Sequence, residues 1–155
     1  VKNQKMGICV FDSHLGKIAI YEEENFITKI ILNPKNNFSD NSTPLVLKTK
    51  MQIEEYLLGK RKSFDLPYII EGTDFQRKIL TEITKIPYGE KWSYKAIAKK
   101  AGYDNASRAC GTVCKNNKLP IIIPCHRVIK SDGSLGRYNG GSDTKRELLD
   151  LENNL

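Results

Sequence analysis

The sequence predicts an α/β protein of the α+β kind: a small N-terminal antiparallel sheet with a helix, then a mostly helical C-terminal domain containing a helix-turn-helix. Three observations carry this. Apolar and polar residues alternate through the first 32 positions, apolar residues then recur at helical spacing, and two short helical segments meet around Gly102 with few residues between them. The pattern changes near Pro67, which divides the chain into residues 1–66 and 67–155.

The runs "GICVFD", "GKIAIYEE" and "NFITKIIL" are rich in β-branched and aromatic residues and are separated by short turns, so they read as a three-stranded meander. "NPKNNFSDNSTP" is a connecting loop. From Leu45 to Leu58, Leu45, Val46, Thr49, Ile53, Tyr56 and Leu57 share one helical face, and Gly59 ends that helix. Thr73 and Gln76 form a capping box for a helix whose stripe is Phe75, Ile79, Leu80, Ile83 and Ile86.

Ser93 caps "YKAIAKKAG", which Gly102 stops, and Asn105 is placed to cap "ASRACGTVCKNN". On that second helix Ala106, Ala109, Cys110 and Val113 are expected to face inward, with Arg108, Gly111, Thr112 and Lys115 outward. "LPIII" reads as a short strand or extended segment, and a Thr144–Glu147 capping box opens the final helix.

Composition narrows the function. With 39% hydrophobic and 28% charged residues the chain is a folded soluble protein rather than a disordered one. No apolar run reaches the length of a membrane span, and "VKNQKMGICVF" has no signal-peptide core, so a cytoplasmic protein without a membrane partner is expected. In that compartment Cys9, Cys110, Cys114 and Cys125 are expected as thiols rather than disulfides. The net charge of +7 suits a polyanionic partner.

Cys125 has unusual neighbours: "LPIIIP" before it, His126 and Arg127 after it, and several glycines just beyond. As a small residue at the end of an apolar run it reads as core. A metal site is disfavoured, because Cys110, Cys114, Cys125 and His126 lack the spacing of a zinc finger or ribbon. As a nucleophile it would draw on the positive charge and base nearby, provided that Pro124 introduces a turn bringing Cys125 and His126 to one side. Residue types alone leave the core and nucleophile readings open.

The wider pattern separates them. "IPCHRVI", with Asn117 eight residues before the cysteine and "GRYNGG" after it, resembles the active-site segment of the O6-alkylguanine-DNA alkyltransferases, the methylated-DNA–protein-cysteine methyltransferases. "FQRKILTEITKIPYGEKWSYKAIAKKAG", "SRACG" and "KRELLDLE" extend the resemblance from Phe75 to Glu152, about half of the chain. The resemblance implies that Cys125 takes an alkyl group from O6 of guanine in one irreversible displacement, with O4-alkylthymine a second substrate to consider. It implies His126 as base through a water, Glu152 as the carboxylate orienting it, and Asn117 as the residue holding the turn.

The resemblance further implies that Tyr94 serves the leaving base, that the backbone near Cys125 and Val128 accepts from the exocyclic amine, and that Tyr138, Gly140 and Gly141 form a lid. Asn139 departs from the serine of some members, and is expected to alter size tolerance rather than chemistry. Arg108 matches the finger that fills the space left by an extruded base. Ser107, Ala109 and Gly111 let the helix press close to the minor groove, with Thr112 on the exposed face. The partner implied is double-stranded DNA carrying alkylated guanine; no cofactor or metal is implied, and a monomer is expected.

Three rivals are weaker. An alkyltransferase-like binder lacks the acceptor cysteine. A helix-turn-helix regulator leaves the Cys125 constellation unexplained. A cysteine hydrolase rarely builds its dyad from adjacent residues.

Overall fold

The computed structural model of the chain describes residues 6–36 and 39–153. Residues 1–5, Asn37 and Phe38 of the predicted connecting loop, and residues 154–155 lie outside the described set. Contacts divide the chain into two compact units, residues 1–69 and 70–155.

In the first unit, β1 (Met6–Ser13), β2 (Gly16–Glu23) and β3 (Phe26–Leu32) form an antiparallel meander in the order β1-β2-β3. Ser13 pairs with Gly16 and Glu23 with Phe26, so both hairpins close through two residues. Glu24 and Asn25 both have positive φ, 50° and 70°, the backbone that matches a two-residue turn to the right-handed twist of the strands. Helix α1 (Pro44–Leu57) is capped by the Thr43 hydroxyl and has proline in its first turn, where no backbone donor is missed. Its Val46, Ile53, Tyr56 and Leu57 are buried, as are Phe11, Ile18, Ile20, Ile27 and Ile30 of the strands.

In the second unit, helix α2 (Asp74–Ile83) opens with the predicted capping box: Gln76 N–H donates to Thr73 Oγ1 at 3.1 Å, and Thr73 N–H donates to Gln76 Oε1 at 2.8 Å. The two-residue strand β4 (Trp92–Ser93) leads into α3 (Tyr94–Lys100), with the Ser93 hydroxyl accepting from Ala96 N–H. Gly102, at φ 95°, ends α3 and turns the chain toward α4 (Ser107–Lys115). β5 (Val128–Ile129) pairs in parallel with β4, and α5 (Ser142–Asn153) follows. No helix among the described residues is long and apolar enough to cross a membrane.

The structure corrects several local expectations. Asn105 has φ 55° and turns the chain, while Ala106 stands at the N-cap without a side-chain bond. Ala109 is exposed, and Gly111 is buried against Arg137 and Tyr94. Thr144 caps nothing: Lys145 N–H already donates to Gly141 O at 3.1 Å, which puts Thr144 inside α5. "LPIII" is a tight reversal in place of a strand. Ile123 N–H donates to Leu119 O at 2.9 Å, and the buried, β-branched Ile121 is forced to φ 76°.

Candidate active site

That reversal delivers the chain into a 3-10 turn, Cys125–Arg127, whose three side chains are all buried. Pro124 precedes it and its carbonyl accepts from Arg127 N–H at 2.9 Å, so consecutive side chains no longer alternate as on a strand. Asn117, just past α4, holds the approach. Its Oδ1 accepts from Leu119 N–H at 2.9 Å, and its Nδ2 donates to Ile123 O at 3.1 Å and to Cys125 Sγ at 3.2 Å. The sulfur therefore has an amide donor aimed at it inside the protein.

His126 and Arg127 both meet Glu152 from α5. His126 Nε2 lies 2.7 Å from Glu152 Oε2; since a carboxylate only accepts, Nε2 carries the proton. Arg127 grips the same carboxylate in fork fashion, Nε to Oε1 at 2.8 Å and Nη2 to Oε2 at 2.9 Å, and its Nη1 reaches Ile86 O at 2.7 Å. Gly89 N–H adds a fourth bond to Oε1 at 3.0 Å. Burial holds the His126 imidazole below its ordinary pKa; the Glu152 bond and charge oppose this, and the charges of Arg127 and Lys145 add to it. Burial thus favours the neutral form of the ring.

The sequence reading missed Lys145. This fully buried lysine donates from Nζ to Val128 O at 2.5 Å, to Tyr94 Oη at 3.1 Å and to Arg137 O at 3.1 Å. Burial lowers its pKa to about 8, with the surrounding thiols opposing the shift. Tyr94 Oη also accepts from Arg137 N–H and donates to Arg137 O, both at 3.0 Å. Burial, above all, raises the phenol far above its usual range. The available signal was spacing: Lys145, Leu148, Leu149 and Glu152 recur at i, i+3, i+4 and i+7 on the inward face of α5.

Cys110, Cys114 and Cys125 form a run of neighbouring thiols. The hydrogen bond with Cys114, together with burial, pushes the Cys110 thiol far up. The Cys110 bond pulls Cys114 down, but its bond with Cys125 and its burial hold it well above the ordinary thiol value. All four cysteines are buried and none is in a disulfide.

The remaining predicted residues divide. Tyr138 is buried, with its ring edge-on to His126 at 6.3 Å between centroids. Asn139 is exposed and donates from Nδ2 to Asn117 O at 2.8 Å, tying the "GRYNGG" loop to the residue that holds the cysteine. One lone pair of the Val128 carbonyl is occupied by Lys145. The glycine that close approach within the protein demands is Gly136. A Cβ on Gly136, at φ 77°, would sit 2.5 Å from Tyr94 Oη, whereas one on Gly141 would meet nothing within 4 Å. Gly136→Ala is expected to destabilise the unit by about 2 kcal/mol through backbone strain and displacement of the tyrosine, which chemical denaturation measures.

Beside this site lies a cleft of about 340 Å³ lined by Tyr94, Ser107, Arg108, Gly111, Gly136 and Arg137, among others. Arg108 is exposed on α4, and Thr112, also exposed, accepts from Arg137 Nη1 at 3.0 Å.

Fold and site together set a buried, hydrogen-bonded cysteine beside two short helices joined through Gly102, and similarity to known proteins gives the class as a methyltransferase. Residues 74–154 match the family model for the DNA binding domain of 6-O-methylguanine DNA methyltransferase. The constitutive methylated-DNA–protein-cysteine methyltransferase of Bacillus subtilis is 39% identical over 151 residues, which are 91% of this chain and 92% of that protein. The methylated-DNA–protein-cysteine methyltransferase of Methanosarcina barkeri is 50% identical over 103 residues, 66% of this chain and 65% of that one. The crystal structure of Mycobacterium tuberculosis OGT in complex with DNA shares 34% identity at a TM-score of 0.84, covering 93% of this chain and 91% of that one. The chain belongs to the methylated-DNA–protein-cysteine methyltransferase family.

Proposed function

We propose that the protein repairs double-stranded DNA by moving the alkyl group of O6-alkylguanine onto Cys125, once per molecule. The observation that carries this is the buried turn in which Cys125 receives the Asn117 donor and is followed by a neutral His126 locked to Glu152. Because Nε2 of His126 is engaged with Glu152, the thiol proton reaches the ring at Nδ1, through a water. The sulfur attacks the alkyl carbon; the S–C bond forms as the C–O bond breaks, and the electron pair stays on guanine. Tyr94 gives the departing base a proton and Lys145, bonded to its hydroxyl, replaces it, so the proton count balances.

Cys125 is fully buried, so the base reaches the sulfur only as the chain around it opens. Exposed Arg108, at the rim of the cleft, takes the place of the extruded base, with Ser107 beside it and α4 lying in the minor groove.

The test is intact mass after incubation with a duplex containing O6-methylguanine. A gain of one methyl per molecule, with no second turnover, supports the reading; duplex binding without a mass gain would make the protein a non-catalytic damage binder. Arg108→Ala is expected to slow transfer from duplex at saturating DNA while sparing the free base O6-benzylguanine. The salt slope of undamaged-duplex binding should change by at most about one unit, the share of one phosphate contact. Full duplex rate in this variant would remove Arg108 from base extrusion.

A further inference from the structure

We propose that the Arg137 guanidinium binds the phosphate of the nucleotide whose base enters the cleft. This rests on the alkyltransferase reading of Cys125 and adds to it a nucleotide-recognising group. The backbone of residue 137 is pinned: its N–H and C=O both meet Tyr94 Oη at 3.0 Å, and its C=O also takes Lys145 Nζ. The side chain nevertheless runs outward over Gly111, where its Cδ lies 3.8 Å from the position of an added Cβ, and reaches Thr112 Oγ1 on α4. An arginine fixed at both ends beside the base-facing tyrosine is held at a set distance from any base in the cleft.

That bond uses one of five N–H donors, and the fork of the others suits two phosphate oxygens at once. The surroundings agree. Lys95, Arg108 and Lys130 line the same cleft with the hydroxyls of Ser107 and Ser131, and no acidic residue lines it among the described residues. At about 340 Å³ it falls within the size range of small-ligand sites. Four cations and two hydroxyls around an opening exceed what a neutral base requires; they fit a base that arrives with its phosphate.

The experiment compares O6-methyldeoxyguanosine with its 3′- and 5′-monophosphates, following methylation of Cys125 by mass. In the wild type one monophosphate should react faster than the nucleoside, and Arg137→Gln should cut that advantage about tenfold, the scale of one charge-assisted hydrogen bond. Thr112→Val, which releases the guanidinium without removing it, should give a smaller loss. Affinity for unmethylated dGMP over deoxyguanosine, measured on the same proteins, reads the contact without the chemistry and should fall in parallel. Failure of transfer with that affinity difference intact would count against the acceptor reading alone. Equal losses for nucleoside and nucleotide would make Arg137 a brace for its loop, and an unchanged dGMP preference would equally overturn the phosphate assignment.

Discussion

Cys125→Ser is expected to abolish methyl transfer while leaving the fold and duplex binding intact. The replacement is nearly isosteric in a fully buried position, and its hydroxyl can accept the Asn117 Nδ2 bond that the sulfur accepts now. What is lost is the nucleophile, because a serine hydroxyl is far less readily ionised than a thiol. The neighbouring cysteines do not take over. Cys110 and Cys114 are held well above the ordinary thiol range, and burial also raises Cys9, which lies in the other unit. Peptide mapping of the wild type should therefore place the methyl on Cys125 alone. A methyl on Cys114, or repeated turnover by one molecule, would rule out this acceptor assignment.

Glu152→Ala should both destabilise the second unit and stop efficient transfer. The carboxylate accepts four hydrogen bonds from three residues in two separate parts of the chain, and its removal strands the buried Arg127 charge. Breaking a buried pair in this way costs about 3–5 kcal/mol, readable by denaturant unfolding. Glu152→Gln keeps the shape and one accepting oxygen, so it should lose less stability and retain part of the rate. The pH profile isolates His126. Its folded pKa lies below the ordinary 6.5, so in the window beneath 6.5 the unfolded chain binds a proton that the fold refuses. The stability from a neutral His126 is therefore complete above pH 6.5 and is lost as pH falls through that window. His126→Gln should flatten this acid limb. An unaltered limb, or full stability in Glu152→Ala, would sink the account of the cluster.

How much of this was legible depended on how local each cause is. The meander could be read because strand period and two-residue turns are properties of consecutive residues, and the Thr73–Gln76 box because it closes within four. Asn105 and Thr144 satisfied the same local rules and still do not cap: Asn105 is spent on a left-handed turn, and α5 begins before Thr144. Lys145 was hidden because a lysine at an inward-facing position resembles a solvated charge until Val128, Arg137 and Tyr94 surround it. The motif around Cys125 pointed to the thiol and to Glu152 and offered Arg127 as nearby positive charge, but its fork on the Glu152 carboxylate depends on α5 packing against the turn and is not local.

The four bonds on Glu152 also set an order of events during synthesis. Gly89 and Glu152 are separated by 63 residues, so the cluster closes only after α5 has been made. Until then Arg127 and His126 have no carboxylate to draw them inward, and hydration favours keeping the arginine in water. The turn around Cys125 then keeps only the Asn117 bonds and lacks the carboxylate that orients His126. A chain made only as far as the Cys125 turn would therefore already hold α3 and α4, yet lack the carboxylate on which the proposed relay depends. On the alkyltransferase reading, competence to transfer would come with α5, once Glu152 can reach Gly89, His126 and Arg127.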